Sequence, residues 1–93
     1  MKKLVLVTYD LKQPGRSYSE LYDRIKSIAG EGNWQHPLDS TWVIMIPDDI
    51  ELDDLTKRLK DVMDSKDGVF VVDITEMPCQ GWLPRSFWEW LDK

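Results

Sequence analysis

Two segments of this chain are apolar on both faces, and this feature constrains the fold more than any other. Residues 3–9 (KLVLVTY) and 41–46 (TWVIMI) are rich in β-branched and aromatic side chains, and apolar residues barely alternate with polar ones. A strand with this pattern lies in the middle of a sheet, where both of its faces are covered. We therefore expect these segments to form two central strands.

The rest of the chain supplies two helices and two further strands. Apolar residues at helical spacing predict helices over residues 18–29 and 51–64, the first opened by a capping box of Ser17 and Glu20. Residues 33–38 and 69–75 predict the remaining strands, and Pro37 assigns the former to an edge or a bulge because proline cannot donate to a ladder. The order βαββαβ predicts a ferredoxin-like α+β fold, with a four-stranded antiparallel sheet and two helices on one face.

Length and charge restrict the function. The 93 residues suffice for one hydrophobic core, so we expect a single domain over 1–93 with a tail segment at 80–93. The net charge of −5 argues against a general affinity for nucleic acid, because Lys and Arg dominate phosphate binding. The first apolar run ends at Thr8, too short for a signal peptide or a membrane span, and the single Cys79 excludes an internal disulfide. These features predict a cytoplasmic protein with no membrane partner.

The tail is rich in tryptophan, and we expect its aromatic side chains to pack against an apolar surface. Two helices cover only one face of the sheet, yet the opposite face is also apolar. On a helical projection Phe87, Trp90 and Leu91 form one stripe, while Trp88 points elsewhere. The tail therefore either folds over its own sheet or is buried against a second copy. We expect a homodimer that buries the opposite sheet face or the segment 82–91, because large uncovered apolar patches are rare on monomers.

Three stretches carry a resemblance to a known family. They are residues 4–11 (LVLVTYDL), 33–43 (NWQHPLDSTWV) and 67–72 (DGVFVV). Together they resemble the small CRISPR-associated endoribonucleases called Cas-two and, more closely, their stand-alone relatives, which include the VapD-like toxins. The resemblance implies a ferredoxin-like fold, a twofold dimer with facing sheets, and an Asp at the end of the first strand that binds a divalent metal and supports phosphodiester cleavage. Asp10 occupies that position, whereas the tail departs from the CRISPR proteins and resembles the ending of the stand-alone ones.

The candidate site centres on Asp10. A carboxylate at the end of a central strand, close to a twofold axis, would meet its symmetry mate, and two such groups attract magnesium or manganese. Alternatively, Asp10 ends the strand and accepts backbone hydrogen bonds in the turn at 12–15. Lys12 and Arg16 flank it and would either hold a phosphate or remain solvated loop charges. Ser40, before the third strand, is a substrate contact or a turn residue.

These observations leave two functions open. The first is a toxin-like, metal-dependent endoribonuclease that acts on RNA as a homodimer, with paired Asp10 residues as its site. The second is a non-catalytic dimeric module whose acidic and aromatic surface docks a protein partner. His36, the single histidine, would have to do any imidazole acid–base work alone, and Cys79 has no histidine near it in the sequence.

Overall fold

The computed structural model describes residues 1–12 and 18–92. Its elements are β1 (Lys2–Asp10), α1 (Ser19–Ala29), β2 (Trp34–Leu38), β3 (Thr41–Pro47), α2 (Leu52–Lys60), β4 (Gly68–Asp73) and α3 (Arg85–Leu91). The strands form an antiparallel sheet in the order β2-β3-β1-β4, so β1 and β3 are central as predicted. The fold is α+β with a ferredoxin-like arrangement, which confirms the predicted class. No helix within these two ranges is long and apolar enough to cross a lipid bilayer.

The main core lies between the sheet and the first two helices. We call this side of the sheet the inner face. Alternate residues of the central strands point into it, and each helix contributes an apolar stripe. The most deeply buried members of this core are Val5, Val7, Trp42, Ile44, Ile46, Leu21, Ile25, Leu55 and Leu59.

Strand β2 lies at an edge, as Pro37 predicts. Its register against β3 shifts between Gln35 and Leu38, the stretch that contains the proline. Because proline has no N–H to donate, the irregularity falls where a ladder hydrogen bond would otherwise be lost.

Helix α2 is shorter than the apolar spacing predicts. Helix α2 ends at Lys60, four residues before the predicted limit, and the chain continues in tighter turns in which the N–H groups of Val62 and Met63 donate to residues three positions back. Met63 is nevertheless buried, which is why apolar spacing alone predicted a longer helix.

The predicted capping box of the first helix depends on Ser17, which lies outside the described residues.

The tail folds over the opposite side of the sheet, which we call the outer face. Helix α3 buries Phe87 and Trp90 against Val43 of β3. The Trp90 indole N–H also donates to the carbonyl of Gly32 at 2.8 Å, which ties the tail to the connection between α1 and β2. Trp88, expected to point elsewhere, is half-buried and packs against the same cluster. The tail is therefore a cover for its own sheet.

Helix α3 leaves part of the outer face open. Phe70 of β4 is 65% exposed and Leu38 of β2 is 54% exposed. Between them lie partly exposed residues of β1, β3 and β4. We call this surface the open patch, and its members are Leu6, Thr8, Leu38, Thr41, Phe70 and Val72.

Candidate functional site

Asp10 is the last residue of β1 and lies at the rim of the open patch. Alternation along the strand places its side chain on the outer face with Thr8, and 70% of that side chain is exposed. Its ladder partner is Gly68 of β4, and a Cβ placed on Gly68 would meet no atom within 4 Å. Thr8, Gly68 and Phe70 line a shallow depression beside Asp10. The carboxylate is therefore open to a ligand from solvent.

Lys12 is the partner of this carboxylate. Its ammonium group forms an ion pair with Asp10 Oδ2. The hydrogen bond and the negative charge of Asp10 together raise the pKa of Lys12. The site thus holds an accessible carboxylate and an accessible cation side by side.

Arg16 and Ser40 are the other predicted site residues. Arg16 lies outside the described residues, and so does most of the turn at 12–15 that was the alternative role of Asp10. Ser40 is exposed in the turn between β2 and β3, and its carbonyl accepts a hydrogen bond at 3.1 Å from the N–H of Tyr9, the residue before Asp10. The fold therefore brings Ser40 to the same end of β1 as Asp10.

Asp67 lies at this end of the sheet, immediately before β4. Among the described residues it is the one polar or charged residue that is buried, at 5% exposure. Its Oδ1 accepts hydrogen bonds from the N–H of Lys12 at 2.7 Å and from the hydroxyl of Tyr18 at 3.3 Å, and its Oδ2 accepts one from the N–H of Asp64 at 2.9 Å. No local pattern signals the bond to Lys12, which is 55 residues away along the chain.

The electrostatics of Asp67 favour the charged form. Burial of the carboxylate acts to raise its pKa, but the hydrogen bonds from Lys12, Asp64 and Tyr18 and the charge of Lys60 oppose it. The hydrogen bonds and the charge outweigh burial, so the pKa of Asp67 lies below its usual value. The Lys60 ammonium also donates to the carbonyl of Asp67 at 2.8 Å, which further fixes this turn.

His36 packs within a cluster of aromatic side chains. Its ring stacks on Trp42 with centroids 4.0 Å apart, and its Nε2 lies 3.0 Å from the carbonyl of Asp39. Trp42 in turn donates its indole N–H to the hydroxyl of Tyr9 at 2.9 Å, and burial raises the pKa of Tyr9. These contacts account for His36 as part of an aromatic cluster at the inner face.

One chain supplies few ligands for a metal ion. Among residues 1–12 and 18–92, no three His, Cys, Asp or Glu side chains lie close enough together to form a metal centre. Magnesium, however, keeps several waters and is commonly held by one or two carboxylates. The open Asp10 carboxylate fits that requirement if two copies of the chain each contribute one.

Comparison of the sequence with protein-family models and with curated proteins finds no match. The fold is similar to that of solved proteins, among them the crystal structure of a hypothetical protein, TT1823, from Thermus thermophilus. That match has a TM-score of 0.63 and 21% sequence identity, and it covers 90% of this chain and 96% of the other. At this identity the similarity concerns the fold alone.

Proposed function

We propose that this chain is a homodimeric, Cas-two-like endoribonuclease that uses a divalent metal held by Asp10. The observation that carries the proposal is the position of Asp10: a 70% exposed carboxylate at the end of a central strand, at the rim of an uncovered apolar surface. The resemblance of residues 4–11, 33–43 and 67–72 to that family points to the same residue.

The open patch supports the dimer. Phe70 and Leu38 remain 65% and 54% exposed although the tail covers another part of the outer face. Burial of apolar surface is the main force that favours protein association. A twofold contact uses the same patch on both copies, and with its axis close to Asp10 it would also bring the two Asp10 side chains toward each other.

The paired carboxylates support the metal. Two negative charges placed close together repel, and a cation between them offsets the repulsion. A bound magnesium or manganese ion would polarise a phosphate oxygen and activate a water for attack on the phosphodiester. The residues that would hold it are the Asp10 side chains of the two copies.

The other side chains at this end of the sheet would bind the substrate. Lys12, released from Asp10 when the carboxylate takes up a cation, is placed to hold a phosphate of the RNA backbone. Ser40 presents its hydroxyl at the neighbouring turn and would donate to a phosphate or a ribose oxygen. With a net charge of −5, binding would depend on these local contacts.

The test is Asp10→Asn, which keeps the shape of the side chain and removes its charge. Wild type and variant are incubated with single- and double-stranded RNA and DNA, with and without magnesium or manganese. We expect metal-dependent RNA cleavage by the wild type and its loss in Asp10→Asn, with the same mass of both proteins by light scattering. Asp48→Asn is the matched control, because Asp48 lies in the turn after β3 at the opposite end of the sheet. Absence of cleavage by the wild type, or equal cleavage by both, would remove Asp10 from catalysis.

A second candidate function rests on a different surface. Trp82 is fully exposed and Met77 is 59% exposed, both in the segment between β4 and α3. An exposed indole on an acidic chain suits a partner protein with an apolar pocket and basic surroundings. If the wild type does not cleave nucleic acid, we expect this interaction module to be the function, and Trp82→Ala to abolish partner binding without loss of stability.

A further inference from the structure

Asp67 differs from the other acidic residues of the described chain because it is buried and both of its carboxylate oxygens accept hydrogen bonds. These bonds come from Lys12 after β1 and Tyr18 before α1, two other segments, and from Asp64 in its own turn after α2. The residue also immediately precedes Gly68, the ladder partner of Asp10. A side chain that only flanked a strand would not need contacts with two other segments.

We propose that Asp67 is a positioning residue that fixes the backbone carrying Asp10 and Lys12. Its importance for cleavage rests on the proposed function, whereas the positioning itself is a property of the fold and can be tested separately.

Two consecutive residues, Asp67 and Gly68, contact the backbone of the candidate site at Lys12 and at Asp10. Gly68 pairs with Asp10 in the ladder, and Asp67 takes the N–H of Lys12, two residues further on. The bond to Lys12 lies just beyond the last ladder pair, where no strand neighbour is left to hold β1. Together the two contacts set the direction in which the chain leaves the sheet, and hence the relative position of the Asp10 carboxylate and the Lys12 ammonium.

Only a carboxylate satisfies this arrangement. One oxygen accepts the N–H of Lys12 at 2.7 Å and the other accepts the N–H of Asp64 at 2.9 Å. In Asp67→Asn one of these oxygens becomes an NH₂ group, so that two donors face each other at either Lys12 or Asp64. Asn therefore has nearly the same size as Asp but cannot make both contacts.

The first measurement is amide hydrogen exchange on the full chain, labelled with ¹⁵N. In Asp67→Asn we expect the amide that faces the new NH₂ group, that of Lys12 or that of Asp64, to exchange at least about tenfold faster than in wild type, the factor that corresponds to one lost charge-assisted hydrogen bond. Core amides such as those of Leu21 and Ile25 should keep their protection. In the control Asp48→Asn the Lys12 amide should be unchanged. Rates within twofold of wild type at both the Lys12 and the Asp64 amides in folded Asp67→Asn would overturn the proposal.

A second measurement does not depend on whether Asp67→Asn folds. In the wild type, a long-range HNCO experiment should show a through-hydrogen-bond coupling between the Lys12 amide nitrogen and the Asp67 carboxyl carbon. Absence of this coupling, together with rapid exchange of the Lys12 amide in wild type, would overturn the proposal.

Cleavage kinetics then separate the two claims. If the wild type cleaves RNA, folded Asp67→Asn should lower kcat at least about tenfold and also raise KM, since Asp10 is displaced from the reacting atoms and Lys12 from the substrate phosphate. Unchanged kcat would contradict a role for Asp67 in the site. If the wild type does not cleave, the proposed function fails, and the exchange and coupling measurements still decide whether Asp67 holds this backbone.

Discussion

The contact of the tail with the sheet leads to a quantitative prediction for Trp90. This residue is 5% exposed and packs against Phe87 and Val43, and its indole N–H donates to the carbonyl of Gly32 at 2.8 Å. Trp90→Phe keeps an aromatic ring but removes the donor and part of the buried volume. Loss of the hydrogen bond costs about 1 kcal/mol, and the space left in the cluster costs about 1 kcal/mol more.

We therefore expect Trp90→Phe to lower the free energy of unfolding by about 2 kcal/mol. For a domain of this size the melting temperature should fall by about 8–16 °C. The assay is urea denaturation followed by circular dichroism, with a thermal scan in the same buffer. Trp82→Phe is the matched control, because Trp82 lies in the same tail but is fully exposed, and its replacement should change stability by less than about 0.5 kcal/mol. Equal effects of the two substitutions would refute the docked position of α3.

Three further predictions concern other parts of the structure. Tyr9→Phe leaves the buried indole N–H of Trp42 without its acceptor, and we expect urea denaturation to report a loss of about 1–3 kcal/mol. Because folding lowers the pKa of Asp67, its carboxylate contributes stability that is complete above the ordinary value of 3.8 and is lost as the pH falls through the lower folded value. The stability difference between wild type and Asp67→Asn should accordingly be largest at neutral pH and shrink below about pH 4, and a difference independent of pH would contradict this. Phe70→Asp places a charge in the open patch and should convert the proposed dimer to a monomer by light scattering, whereas an unchanged mass would exclude this patch as the interface.

Much of the fold follows from the sequence because its signals are local. The apolar runs at 3–9 and 41–46 predicted the central strands, since a strand covered on both faces buries every side chain and so lacks regularly spaced polar residues. Pro37 predicted the irregular edge, because a residue without an N–H weakens a ladder wherever it is placed. The end of α2 was predicted less well, because buried residues such as Met63 keep similar spacing in an α-helix and in tighter turns.

Some features of the candidate site also follow from local sequence, whereas others depend on contacts between distant segments. The sequence determined that Asp10 ends a central strand and that Lys12 is close to it, because both follow directly from β1. Only the tertiary structure decided that Asp67 holds the N–H of Lys12 and that Trp90 reaches the carbonyl of Gly32. In each case a single side chain bonds to backbone more than 50 residues away, and such a contact leaves no periodic pattern along the chain. It exists only once the sheet and the helices have brought the two segments together.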